Sequence, residues 1–248
     1  MARRATKSMG WKVWIMLVVV LGIVLYAWNE RRSVYWIPAK VPNRIVKHKK
    51  NRYQIWEIYD VLSPEECKQV IEFARQKGVE DSEVMSNTHE KDTEKDENWR
   101  RSRQVWASEE EHPVLQKFAK FNEDLTGYRA SQQEEAQIAS YVPGGLFKEH
   151  YDACAFDDTE YCNRMNRDSG ERRTTLLLYL NTDFTGGETE FTKMGIKIRP
   201  EVGKAVLFWD TYQDDSIIEQ SMHQGNIVLT GEKWILTKWS HPKHFRSV

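Results

Sequence analysis

The sequence predicts a mainly β domain with flanking helices, an α+β chain with a double-stranded β-helix (jelly-roll) core, preceded by a transmembrane helix. Three observations predict it. Between Thr174 and Trp239, short apolar and β-branched runs are separated by Gly, Asn, Asp and Pro, the punctuation of an all-antiparallel sheet. Two of these runs, TLLLYL from Thr175 and AVLFW from Ala205, are apolar almost throughout, which suits strands covered on both faces. Two amphipathic helices upstream, starting at Ser63 and Pro113, supply one of those covers. With 248 residues, 40% hydrophobic and 12% aromatic, the chain has material for one substantial domain.

Residues 1–12 form a basic tail carrying Arg3, Arg4, Lys7 and Lys12. Residues 13–28 (VWIMLVVVLGIVLYAW) are uninterruptedly apolar. As a helix this run spans about 24 Å, and Trp11 with a snorkelling Lys12 extends it toward the ~30 Å of a bilayer core. No small-X-small site ends the run, so the expectation is an anchor and not a cleaved signal peptide. Arg31, Arg32, Lys40, Arg44 and Lys47 make the far flank basic as well, so charge does not orient the anchor. Residues 29–50, with Pro38 and Pro42, read as a stem, and the domain is expected over 51–248. A formal charge of −1 with 29% charged residues gives no field for nucleic acid, which is excluded as a partner.

The domain opens with a strand, Tyr53 to Tyr59. Ser63-Pro64-Glu65-Glu66 then forms a capping box with Pro at the first helical position, and Cys67, Val70, Ile71 and Ala74 follow at helical spacing up to Gly78. Glu80 to Asn98 is polar and reads as a mobile surface loop. Leu115, Phe118 and Leu125 give the second helix its apolar stripe, between Pro113 and Gly127. Strands are then expected over 137–142, 174–180, 187–191, 196–199 and 205–209. A last hairpin should run from Ser221–Val228 through the turn 229–232 into Lys233–Trp239.

The chemistry concentrates between Tyr141 and His241. His150 and Asp152 are two apart, so on a strand they project from one face, and His223 supplies a second imidazole. Two His and one carboxylate are the donor set of a facial triad for Fe(II), which leaves coordination positions open for oxygen chemistry. On the last strand Lys233, Ile235, Thr237 and Trp239 share a face, placing Lys233 as an inward cation beside His223.

The ordered set of His150-X-Asp152, then TLLLYLN, GGETEF, His223, and Lys233 within GEKWILTKW resembles the 2-oxoglutarate- and Fe(II)-dependent prolyl 4-hydroxylases, more loosely from about Ile55 onward. The resemblance implies an enzyme using Fe(II), 2-oxoglutarate, O2 and L-ascorbate to hydroxylate C4 of proline in a protein or peptide partner, releasing succinate and CO2. It implies that Tyr141, Thr175 and Lys233 hold the distal carboxylate of 2-oxoglutarate. A buried dianion needs such a cation and hydroxyl donors. It further implies substrate contacts at Arg101, Ser102, Phe147, Trp239 and His241. Phe147 stands where the family commonly has Tyr, which bears on peptide preference and not on iron. By resemblance the chain is a single-pass type II protein of the endoplasmic reticulum membrane, with 1–12 cytosolic and the domain lumenal. In that oxidising lumen Cys154 and Cys162 are the favoured disulfide pair, with Cys67 left over, and Asp157, Asp158 and Glu160 between them read as a solvated lid. Two other readings compete: an oxygenase acting on another residue or a small molecule, and a non-catalytic membrane-tethered peptide-binding module.

Overall fold

Two antiparallel sheets face each other in the computed structural model, which describes residues 11–31, 41–85, 93–94, 96, 98–154, 166 and 168–245. The first half of the chain gives α1 (Trp11–Arg31), β1 (Ile45–Lys50), β2 (Tyr53–Ile58), α2 (Pro64–Lys77), β3 (Glu80–Asp81), β4 (Val84–Met85), β5 (Thr93–Glu94), β6 (Arg100–Arg101), β7 (Arg103–Ala107) and α3 (Pro113–Thr126). The second half is almost all strand: β8 (Ala136–Tyr141), β9 (Leu146–His150), β10 (Thr174–Tyr179), β11 (Phe184–Gly186), β12 (Thr189–Phe191), β13 (Ile196–Ile198), β14 (Ala205–Trp209), β15 (His223–Gly225), β16 (Val228–Gly231) and β17 (Lys233–Ser240).

The large sheet runs β1-β2-β14-β10-β17-β8-β7-β3 and the smaller one β13-β12-β15-β9-β6. All six residues of β10 and all five of β14 are buried, as their apolar runs require. One face of the large sheet lies under α2 and α3, whose buried residues are those the helical spacing predicts: Cys67, Val70, Ile71 and Ala74 on α2, and Leu115, Phe118 and Leu125 among others on α3. Ser63 caps α2 with the expected reciprocal box: its hydroxyl accepts from Glu66 N, and Glu66 Oε2 accepts from Ser63 N at 2.8 Å. The other face meets the smaller sheet, with Phe191 of β12 edge-on to Phe208 of β14 at 5.0 Å. This is the double-stranded β-helix arrangement, with helices on one outer side.

Three expectations change. β1 lies in the stretch expected as a stem, yet pairs in full register with β2 from Ile45↔Ile58 to Lys50↔Tyr53. Its lysines hide it, although Lys47 lays its ammonium 3.9 Å over the Trp56 ring. The terminal hairpin does not form: β16 pairs with β11, while β17 enters the large sheet between β10 and β8. Gly231, at φ 73°, makes the corner, and a Cβ there would lie 2.0 Å from the Asp183 carbonyl. Within the polar segment 80–98, β3 pairs with β7 and β4 with β5, so part of the expected loop is strand.

The expected anchor folds as part of α1, with its large apolar side chains from Val13 to Tyr26 exposed. Among the described residues no helix is long and apolar enough to cross a membrane. As a helix the apolar run of residues 13–28 extends only about 24 Å, short of a ~30 Å core. Cys154 is disulfide-bonded, and Cys67 is a buried free thiol that burial pushes up to about 11. Cys162 and the acidic residues 157, 158 and 160 expected as a lid lie outside the described residues.

The corner at Gly231 yields a stability test. Gly231→Ala should cost at least ~2 kcal/mol, or roughly 4–8 °C in Tm. Gly195→Ala, at a similar φ of 69° but facing open space, should cost visibly less in the same thermal scan.

Candidate active site

The inner faces of the two sheets bring the site together. On the large sheet, alternation turns Tyr141 of β8, Thr175 and Tyr179 of β10, and Lys233 of β17 to the same side, and Lys233 pairs directly across from Tyr141. On the smaller sheet, β9 and β15 pair with His150 opposite His223. β9 ends at His150, so Asp152 reaches in from the turn just beyond the strand and not from the strand itself.

His150, Asp152 and His223 each offer a ligand atom within 4.8 Å of the others. His150 Nε2 is 3.5 Å from Asp152 Oδ1, and His223 Nε2 is 3.9 Å from Asp152 Oδ2. The opposite ring nitrogens are engaged: His150 Nδ1 donates to the Lys148 carbonyl at 2.6 Å and His223 Nδ1 to the Ser221 carbonyl at 3.0 Å. Those bonds fix the tautomers, so both Nε2 lone pairs face the Asp152 carboxylate, as metal-ligating imidazoles do. Burial pushes His223 down to about 4, with His150 adding to it, so the ring is neutral and free to ligate. Burial works against an ionised Asp152, but His223 and His150, with Arg172 behind them, hold it well below the ordinary carboxylate range. Two imidazoles and one carboxylate, converging on one point, fit Fe(II).

Lys233 is 3% exposed, and among the described residues no carboxylate bonds to it. Its Nζ stands 5.3 Å from the Tyr141 ring centroid and 5.7 Å from that of Tyr179. Burial lowers it to about 8, with Glu188 only partly opposing. A buried ammonium without a counter-ion is costly, and it suits an anionic ligand that arrives from outside. Gly187 makes room for it: a Cβ there would meet the Lys233 stem at 3.1 Å.

Thr175 takes a different place from the expected one. Its hydroxyl lies 2.6 Å from Asp152 Oδ2 and 2.9 Å from Asp210 Oδ2, so in this structure it serves the carboxylate of the triad. Tyr179, whose hydroxyl donates to Thr189 at 2.7 Å, stands beside Lys233 in its stead.

The main chain of Asp152 is held as well. Arg172 Nη1 donates to its carbonyl at 3.0 Å, while Nε and Nη2 fork onto Glu134 at 2.5 and 2.8 Å. Burial opposes ionisation of Glu134, and Arg172 and His241 outweigh it, holding the carboxyl down at about 2. His241 packs here, with Nε2 2.9 Å from Glu134 and Nδ1 2.8 Å from the Gly170 carbonyl. Trp239 lies under the Arg172 guanidinium at 4.1 Å. At 1% and 6% exposed, His241 and Trp239 do not line an open groove. Both were expected at the substrate, and both instead build the shell around Asp152.

Of the other expected substrate residues, Phe147 stacks on the His150 ring at 3.6 Å, with Arg100 on its other side at 4.7 Å. Arg101 is exposed on β6 and reaches the Gly144 carbonyl at 3.4 Å. Ser102 is bonded to Ser82 at 2.8 Å and accepts from Arg100 at 2.9 Å. Sequence reasoning missed Arg100, Glu134, Arg172, Tyr179 and Asp210. Only the alternation of Thr175 and Tyr179 along β10 carried a local signal.

Comparison with known proteins agrees with this geometry. The sequence model of the 2OG-Fe(II) oxygenase superfamily matches residues 136–241, the span that holds the triad and Lys233. The fold and site thus define a 2-oxoglutarate- and Fe(II)-dependent dioxygenase that uses O2. A putative prolyl 4-hydroxylase of Acanthamoeba polyphaga mimivirus is 30% identical over 191 residues, covering 75% of this chain and 73% of that protein. Prolyl 4-hydroxylase 1 of Arabidopsis thaliana is 32% identical over 199 residues, covering 75% and 68%. Among solved structures, the viral collagen prolyl hydroxylase of Paramecium Bursaria Chlorella virus-1, in its 2-oxoglutarate complex, superposes with TM-score 0.59 at 28% identity, covering 77% of this chain and 96% of that one. The chain belongs to the prolyl 4-hydroxylase family.

Lys233 gives a pH-dependent test. Its folded pKa of about 8 is below its unfolded value near 10.5, so folding releases a proton only between those values, and below pH 8 the ligand-free domain carries the full cost of the buried ammonium. Lys233→Met should therefore stabilise the ligand-free protein by up to ~3 kcal/mol at pH 7, and denaturant titrations should show the gain fading between about pH 8 and 10.5.

Proposed function

We propose that the chain is a peptidyl-prolyl 4-hydroxylase, coupling oxidative decarboxylation of 2-oxoglutarate to hydroxylation of proline C4 in a protein or peptide, with L-ascorbate keeping the iron ferrous. The observation that carries this reading is Lys233, a buried ammonium that no carboxylate bonds among the described residues, on the large sheet's inner face opposite a converging His150–Asp152–His223 set. The family membership supports proline as the target. Fe(II) held by His150 Nε2, His223 Nε2 and an Asp152 oxygen would supply the oxidising chemistry. Lys233 would pair with the distal carboxylate of 2-oxoglutarate, and the Tyr141 hydroxyl beside it would donate a second hydrogen bond. Thr175 and Arg172 keep Asp152 aimed, and the buried walls exclude water from the charges. Phe147 fixes the His150 plane at the mouth, and Arg101 with Ser102 on the adjoining β6 edge would meet the peptide.

A second reading, an oxygenase acting on another residue or a small molecule, is favoured by one observation: Trp239 and His241 are enclosed, which leaves fewer side chains to grip a peptidyl proline. An intact triad and Lys233 speak against a non-catalytic binding module. The location in the endoplasmic reticulum membrane, type II with a lumenal domain, belongs to the same proposal. It is supported by the disulfide at Cys154, which suits an oxidising compartment, and by the exposed apolar side chains of α1 ahead of the domain.

The full chain, supplied with Fe(II), ascorbate and 2-oxoglutarate, should release succinate faster with poly-proline or collagen-like peptides, and the peptide should gain the mass of one oxygen on proline. Succinate indifferent to every peptide would move the reading to other substrates. His150→Ala should abolish turnover in a protein that keeps its circular dichroism. Lys233→Ala should raise the 2-oxoglutarate KM by at least about tenfold, and an unchanged KM would remove that residue from the co-substrate site.

A further inference from the structure

The hydrogen count around Thr175 has a consequence for Asp210, given the reading of His150, Asp152 and His223 as a metal site. One hydroxyl lies within bonding distance of two carboxyl groups, Asp152 Oδ2 at 2.6 Å and Asp210 Oδ2 at 2.9 Å, and it has a single hydrogen. If both groups were ionised, one contact would set two acceptor lone pairs against each other. A second hydrogen is therefore required, and it must sit on one carboxyl. Asp152 faces two imidazoles, with Arg172 on its carbonyl, and stays ionised. Asp210 is 0% exposed, and among the described residues its Oδ1 has no hydrogen-bond partner and its side chain bonds to nothing but Thr175. A lone carboxylate in such a place is unpaired, whereas a neutral acid leaves only a carbonyl-like oxygen unsatisfied. Burial and the neighbouring charge of Asp152 accordingly push Asp210 well above the ordinary carboxylate range.

We propose that Asp210 is a positioning residue: as the neutral acid it donates to Thr175 Oγ1, which commits the single Thr175 hydrogen to Asp152 Oδ2 and fixes the rotation of the Asp152 carboxylate toward the metal. The chain Asp210 to Thr175 to Asp152 holds the ligand's side chain, as Arg172 and Glu134 hold its backbone. Asp210 touches neither the metal nor the co-substrate. Its residue type matters because it must donate, and an amide in its place would do the same without a titrating proton.

The test uses the full chain and Co(II) as the metal probe, read by visible ligand-field absorption, with the charge-transfer band of the anaerobic Fe(II)–2-oxoglutarate complex as a second signature. Asp210→Ala should weaken Co(II) binding about tenfold to a hundredfold, the usual effect of removing a group that orients a ligand. Asp210→Asn should bind within a few-fold of the unsubstituted protein. In a Thr175→Val background, Asp210→Ala should add nothing, because the route to Asp152 is already cut. Unchanged affinity in Asp210→Ala, an Asp210→Asn as weak as Asp210→Ala, or an equal loss with and without Thr175 would each overturn the proposal. Should Asp210→Ala not fold, Asp210→Leu fills the space without donating and carries the same comparison. Equal Co(II) binding by His150→Ala and the unsubstituted protein would instead overturn the metal reading itself, whatever Asp210 does.

Discussion

The site depends on keeping one carboxylate, Asp152, ionised and aimed inside a protein wall. Burying such a charge is unfavourable unless it is paired and held, and the surrounding residues constrain it from different directions. The imidazoles of His150 and His223 stand on one side, Thr175 holds Oδ2, and Arg172 binds the main-chain carbonyl. Each of these groups brings its own requirement. Arg172 is itself half-buried and pairs with Glu134, Glu134 takes His241 as well, and Thr175 needs a hydrogen from elsewhere. A network that reaches from Gly170 through His241 to Asp210 follows from the demand of a single buried charge.

Lys233 shows the opposite economy. Where Asp152 has Thr175 and Arg172 in place before any ligand arrives, Lys233 has no bonded carboxylate among the described residues, at a cost to the folded state, and that imbalance is what an incoming dicarboxylate would relieve. The two halves of the pocket thus differ in kind: a pre-formed metal end whose ligands are braced from behind and a destabilised, waiting anion end. Proteins tolerate local strain of this sort where function needs it, and the closely packed β10 and β14 supply the stability that allows it.

Much of this was legible in the sequence because it is local. The capping box of α2, the all-apolar β10 and β14, and the shared face of Lys233 and Trp239 are period-2 or period-3.6 patterns, which sequence carries directly. What failed was non-local. β1 reads as a charged stem because its lysines say nothing of the β2 edge they pair with. The hairpin after His223 looks like a simple turn because the Asp183 carbonyl that crowds Gly231 is far away in sequence. Thr175 reads as a co-substrate ligand until Asp152 and Asp210 are seen on either side of it. His241 and Trp239 read as groove residues until Glu134 and Arg172 close over them. In each case the deciding partner lies on another strand, and no spacing within one segment encodes it.

Phe147 ties these points together. The family resemblance leads one to expect a tyrosine there, and its absence reads as a lost substrate contact. The structure gives the ring a second task, since it lies flat on His150 at 3.6 Å with an interplanar angle of 18°, and Arg100 backs it from the far side. A stack of that kind uses the face of the ring and not its hydroxyl, so Phe performs it as well as Tyr would. His150 needs this support more than His223 does, because His223 is enclosed by Phe191 and Phe208 whereas His150 sits at the mouth, where a free imidazole would rotate. Exchange of Tyr for Phe therefore keeps the stack on His150 and removes only a hydroxyl from the ring.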